Sequence, residues 1–189
     1  MKRVSIASIG AIAIIATVPF VSQIPGVANI WQSGSAIAQN SKYQGQVQLR
    51  LDAEKQVVEK DQQGKQTKKW EPLKGQAVVQ PGDILRYTLS SENKNDRPVK
   101  NLTLNQPIPK GMVYVLKSAN VNANKEAKIT YSIDNGRNFV ENPTVKVTLP
   151  NGKVETQPAP ASAYTYIRLK LPSVDAKSIV KATYQVQVR

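Results

Sequence analysis

Apolar residues recur at every second position through most of this chain. Val47-Gln48-Leu49-Arg50-Leu51-Asp52-Ala53 sets the pattern, which is the period of a half-buried strand. The same alternation returns at Leu85–Leu89, Leu102–Leu104, Ile129–Ile133, Val145–Leu149, Ile167–Leu171 and Val180–Val188. Met112–Leu116 is apolar throughout and reads as a more deeply buried strand. The alternation breaks at Val57-Val58, which predicts a bulge or a second short strand. Asp61–Lys65 predicts a turn that returns Lys68-Lys69-Trp70 as a hairpin partner. Turn residues separate the strands at Asn95–Pro98, Pro109–Gly111, Asp134–Gly136 and Pro150–Gly152. No stretch beyond residue 38 carries a helical period. Many short alternating strands with frequent turns predict an all-β antiparallel sandwich. Its expected core row is Tyr87, Leu89, Leu104, Ile129, Tyr131, Ile133, Val147, Leu169 and Val186.

The N-terminus differs from the rest. Lys2 and Arg3 precede an apolar run from Val4 to Phe20, and Ala36-Ile37-Ala38 offers a small-residue cleavage site. Together these predict a secretory signal peptide over residues 1–38. Ala28 is a second candidate cleavage point. The apolar run holds Ser, Gly and Pro and is short for a span, so a retained anchor is the weaker reading. Residues 39–75 then form an N-terminal arm, first strand and hairpin, and residues 76–189 the main sandwich; the two parts are expected to make one structural unit.

The chain has no Cys and no His. Disulfides, the usual zinc sites, Ser-His-Asp triads and Cys-His pairs therefore lack their residues. A secreted domain without disulfides must rest on a packed core. Net charge is +13, and losing Lys2 and Arg3 leaves +11. This favours anionic partners, although lysines on outward strand faces also simply blunt sheet edges.

The order of motifs VQPGDILRYTLSSENKND, NLTLNQPIPKGMVYVLKSA, ITYSIDNGRNF, AYTYIRLKLP and ATYQVQVR resembles the bacterial "conserved repeat" domain, a domain of unknown function (number eleven), in its cyanobacterial form. Pro81-Gly82-Asp83, Tyr87-Thr88, Asn93, Pro109-Lys110-Gly111 and Tyr114 match the family pattern in order, over about residues 76–189. Where the family often has Asp before the Pro-x-Gly turn, this chain reads Asn105-Gln106, which puts any role of that Asp in doubt. The resemblance implies an immunoglobulin-like β-sandwich of about seven to nine strands. It also implies a stalk, adhesion or binding role, with no catalytic residues to carry over.

Each candidate site has a structural alternative. In Pro81-Gly82-Asp83, Pro presets one turn dihedral, Gly accepts positive φ and Asp bonds nearby N–H groups, so the motif reads as a structural turn. Asn135 and Gly136 read as the tip of a hairpin; a calcium loop would need further ligands that the stretch does not supply. Trp70 either plugs the core, the commoner fate, or joins Lys65, Lys68, Lys69 and Lys74 as a partner-binding cluster. Glu54, Glu59, Asp61, Glu71, Asp83, Glu92 and Asp96 show no spacing that pairs two carboxylates. A buried Lys–Asn isopeptide crosslink could replace disulfides. The expectation is a non-enzymatic extracytoplasmic binding or envelope-structural module, periplasmic or at the cell surface, with no cofactor and no metal. Its partner would be an anionic envelope polysaccharide or another envelope protein; a secreted location argues against nucleic acid. The alternative is a hydrolytic, carbohydrate-active accessory protein using carboxylates.

Overall fold

The computed structural model describes residues 47–60, 65–74, 78–123 and 127–189, and the backbone of residues 37–38. The rest of the expected signal segment, the loose arm after Gln39 and most of the Asp61–Lys65 turn lie outside the described residues. Within them the chain is an all-β antiparallel sandwich of twelve strands. In chain order these are β1 (Ile37–Ala38), β2 (Val47–Lys60), β3 (Gln66–Pro72), β4 (Ile84–Asn93), β5 (Val99–Pro107), β6 (Met112–Tyr114), β7 (Asn120–Asn122), β8 (Lys128–Ser132), β9 (Thr144–Thr148), β10 (Val154–Pro158), β11 (Tyr166–Val174) and β12 (Ile179–Val188).

One sheet runs β3-β2-β4-β12-β6, with β7 also on β12; the other runs β1-β5-β11-β8. Alternation decides which residues meet between them. Along β4, Leu85, Tyr87 and Leu89 point inward. Facing them, β11 supplies Ile167, Leu169 and Leu171, and β5 supplies Leu102 and Leu104. Two clusters result, one around Leu85, Tyr87, Tyr114 and Val186 and the other around Leu89, Leu104, Leu169 and Val180. Leu51 and Ile129 pack against both and join them. Tyr87 and Tyr184 stack at 5.3 Å between ring centroids, within the range that favours aromatic pairs.

Several expectations change. The strand count exceeds seven to nine because β9 and β10 form a separate two-stranded sheet and β7 is a short edge piece. Val57-Val58 makes no bulge: β2 keeps a constant register, Val47 to Lys55 against β4 and Glu54 to Lys60 against β3. The mixed residues there match a strand that leaves the two-layered region, since beyond Lys55 only β3 pairs with it. Val147 is half-buried in the β9–β10 hairpin, and Ile133 sits in a loop bend; neither belongs to the core clusters. Of the apolar run 112–116, only Met112 and Tyr114 are buried, and Leu116 is 45% exposed. Tyr87, Leu89, Leu104, Leu169 and Val186 are buried as the alternation requires, with Ile129 and Tyr131 packed beside them.

Candidate functional site

The Pro81-Gly82-Asp83 motif is a turn that ties the end of the chain to the start of β4. Asp83 N–H donates to the Gln80 carbonyl at 3.0 Å, and Gly82 takes φ +94°, a conformation that glycine adopts without steric cost. The Asp83 carboxylate accepts from Gln80 N–H at 2.7 Å and pairs with Lys55 Nζ at 2.7 Å. Gly82 N–H reaches the Val188 carbonyl, and Val188 N–H reaches that of Asp83. Every polar contact of this motif is spent on architecture.

Asn135 and Gly136 both have positive φ, +58° and +83°. They belong to a wider loop than a two-residue hairpin, closed by Tyr131 N–H donating to the Val140 carbonyl and the reverse. Asp134 is its hub. It accepts from the Asn138 backbone N–H at 2.9 Å, from Ser132 Oγ at 2.7 Å and from Asn138 Nδ2 at 2.6 Å. These bonds, the Asn138 backbone bond first, lower its carboxyl to about 2. The loop closes over the outer face of the four-stranded sheet, where Phe139 lies under the Arg168 guanidinium at 3.5 Å. Arg168 Nε donates to Asn105 Oδ1 at 2.7 Å. Asn105, which stands where the resembled family often has Asp, is thus the acceptor for a half-buried arginine.

The Lys65, Lys68, Lys69, Trp70 and Lys74 cluster is divided by strand geometry. Lys68 and Trp70 share the outer face of β3, while Lys69 points to the opposite face and pairs with Glu59. Lys65 and Lys74 flank the strand at its two ends. Trp70 belongs to neither core cluster. It lies half-buried under the Arg86 guanidinium, 4.4 Å from its ring centroid, and Arg86 is held by Glu54 at 2.7 Å. Core packing is not its role, because Gln56, its partner on β2, faces outward with Glu54. The other acids are dispersed. Glu92 pairs with Lys94 and Asp96 with Lys177, Glu71 is exposed near the end of β3, and Asp61 lies outside the described residues. No group of three potential metal ligands occurs among the described residues. The crosslink also lacks its parts: among the described residues no lysine is buried, and of the two buried asparagines Asn93 has its amide engaged by backbone carbonyls and Asn105 accepts from Arg168.

A concave site forms elsewhere. Tyr114 from β6, Tyr131 from β8 and Tyr164 after a 3-10 turn (Ala161–Ala163) converge with centroids 5.3–5.4 Å apart. Tyr114 Oη meets Tyr131 Oη at 3.2 Å and accepts from Ala119 N–H at 3.2 Å. The rings floor a groove of about 700 Å³, within the range of roughly 300–1,000 Å³ for ligand pockets. Leu116 and Lys117 form one wall. They are thrown outward by the turn between β6 and β7, in which Lys117 takes φ +62°. Ser118 bridges that gap in the ladder: its Oγ accepts from Gln185 N–H at 2.9 Å. Glu141, Asn142 and Thr144 at the root of the β9–β10 hairpin make the opposite wall, and Lys128 stands at the rim. Burial raises the Tyr131 phenol well above its ordinary range, with the Tyr114 bond adding to it, and burial also raises Tyr164. Both rings are uncharged at neutral pH. Glu141 is the one carboxylate among the described lining residues.

Sequence reasoning missed this groove. Its tyrosines come from three separate segments, Tyr114 and Tyr131 from the middles of two strand runs and Tyr164 from ahead of a third, and nothing local to any of them signals that they meet. A second cavity, of about 20 Å³, is lined mainly by apolar residues together with Gln106, Asn120, Thr183 and Tyr184, and has room for little more than one water.

No family model matches the chain, no curated protein matches it, and no solved structure matches it.

Proposed function

We propose that this protein is a non-enzymatic extracytoplasmic binding module whose tyrosine-floored groove takes an extended glycan chain. The observation that carries this reading is the convergence of Tyr114, Tyr131 and Tyr164 in an open concave site. A pyranose ring has an apolar face of C–H groups and a rim of hydroxyls. The partly exposed Tyr131 and Tyr164 rings, backed by buried Tyr114, match the first; Asn142, Thr144 and Glu141 supply donors and acceptors for the second. Binding without hydrolysis fits a groove with a single described carboxylate, because glycoside hydrolysis in its usual form uses two. The positive segment, apolar run and small-residue site at the N-terminus support export. The resemblance to the conserved-repeat domain supports a binding or stalk role on a sandwich scaffold.

Affinity electrophoresis through gels containing neutral and acidic polysaccharides tests the reading. The native chain is expected to be retarded by at least one polymer, and Tyr164→Ala to migrate freely while keeping its far-ultraviolet circular dichroism. Unretarded migration of the native chain in every gel would sink the proposal.

A further inference from the structure

The two sheets carry charge differently. On the outer face of the six-stranded sheet acidic residues accompany basic ones, Arg50 pairing with Asp52 and Arg86 with Glu54, although Lys68 and Lys181 on that face make no ion pair among the described residues. The four-stranded sheet is different. No position of β5, β8 or β11 is acidic, and their charged residues are Lys100, Lys128, Arg168 and Lys170. Lys128 and Lys170 are direct cross-strand partners. Both are exposed, and neither makes an ion pair among the described residues. Like charges placed directly opposite destabilise a sheet, so this pair opposes folding in the free protein and is relieved by an anion lying across it. Lys128 is also a rim residue of the tyrosine groove. Lys128 thus belongs both to the lining of the groove and to the outer face of the sheet, where the two adjoin.

We propose that the polymer bound here is an acidic, carboxylate-bearing polysaccharide, and that it runs from the tyrosine groove past Lys128 onto the outer face of the four-stranded sheet, across Lys170. This rests on the glycan-binding reading and adds the charge of the ligand and its path. The aromatic geometry selects sugar over nucleic acid. Successive bases need faces on which to stack, whereas the two half-exposed rings, Tyr131 and Tyr164, meet edge to face at 73°. A uronic acid chain repeats a carboxylate along an extended backbone, which matches a row of ammonium groups laid out on flat strands. Exposed pairing of this kind weakens as salt rises.

The test uses the full chain with polygalacturonate, amylose and single-stranded DNA as probes, at low and raised salt. Polygalacturonate is expected to bind more tightly than amylose and to weaken with salt. The double variant Lys128→Gln/Lys170→Gln is expected to lose about tenfold in affinity, or about 1.4 kcal/mol. Lys181→Gln, an exposed lysine on the outer face of the other sheet, is expected to leave affinity unchanged. Equal binding of amylose, unaffected by the double variant, would overturn the acidic ligand and leave the glycan reading intact. Binding of DNA as tight as that of polygalacturonate, with equal losses in both sets of variants, would overturn the defined path in favour of general charge. If none of the polymers binds, both the path and the glycan reading fall.

Discussion

Asn93 reaches across the end of the sandwich to Val174: its Nδ2 donates to the Val174 carbonyl at 3.1 Å, 81 residues away in the chain. The same nitrogen lies 2.9 Å from the Arg97 carbonyl and 3.0 Å from that of Asp175. Its Oδ1 accepts from Asn95 N–H at 3.1 Å. Asn93 is 0% exposed. One amide thus fastens the end of β4 to the turn after β11, where a carboxylate could not serve because the contacts are to carbonyl oxygens. Asn93→Ala leaves buried acceptors without a donor, at a cost of about 2–4 kcal/mol, since each unsatisfied buried group costs roughly 1–3. Asn93→Asp is expected to cost more. Urea unfolding monitored by fluorescence measures both, and a midpoint unchanged in either would contradict this account.

Asp134 makes the fold sensitive to acid. Its carboxyl is lowered to about 2 from an ordinary value of 3.8. A group depressed in the folded state contributes stability that is complete above its unfolded value and is lost as pH falls through its folded value. The contribution should therefore disappear between about pH 4 and pH 2. Asp134→Asn retains an oxygen for the Asn138 N–H but does not titrate. The gap in thermal midpoint between native and variant chains is expected to narrow across that window. A constant gap would show that the carboxylate charge is not what the loop uses.

Tyr184 presents the opposite case, a polar atom that the fold does not use. Its hydroxyl is buried beside the Gln106 side chain, and among the described residues neither it nor Gln106 Oε1 nor Thr130 Oγ1 has a hydrogen bond of regular geometry. Burial also raises its phenol far above the ordinary range. Tyr184→Phe keeps the stack on Tyr87 and removes the orphan, so it is expected to be neutral or stabilising by about 1 kcal/mol. Calorimetry decides this. A loss above that size would mean that the hydroxyl has a partner in solution.

The N-terminal boundary has a consequence at a sheet edge. Ile37 pairs with Asn105 and Ala38 with Leu104. A chain beginning at Gln39 lacks β1 and opens the edge of β5, and open edges promote association between chains. A chain beginning at Asn29 retains β1. The shorter form is expected to self-associate at concentrations where the longer one sediments as a monomer. Identical sedimentation would show that β1 does not protect that edge.

How far the chain could be read in advance follows from the range of each interaction. Asp83 closes its turn on Gln80, three residues away, and Gly82 answers a local dihedral, so that motif was legible without a fold. Tyr87 and Leu89 were legible as core because the period of a strand is itself local. Trp70 was not: which side of β3 turns outward is set by its register against β2, a pairing that its neighbours in the sequence do not reveal. Val147 shows the same alternation as Leu169 but lies in a hairpin that leaves the sandwich, and no residue near it signals the departure.

The amino-acid sequence alone determined an antiparallel all-β architecture, the turns that punctuate it, the lack of cysteine and histidine chemistry and the excess of positive charge. Each of these is set by composition or by neighbours a few residues apart. The tertiary structure decided which strands lie side by side. That choice brought Tyr114, Tyr131 and Tyr164 to one groove, set Lys128 opposite Lys170, and turned Asn93 inward onto Val174. Strand pairing joins residues tens of positions apart, and alternation tells each strand which face to bury without naming the strand that will lie beside it.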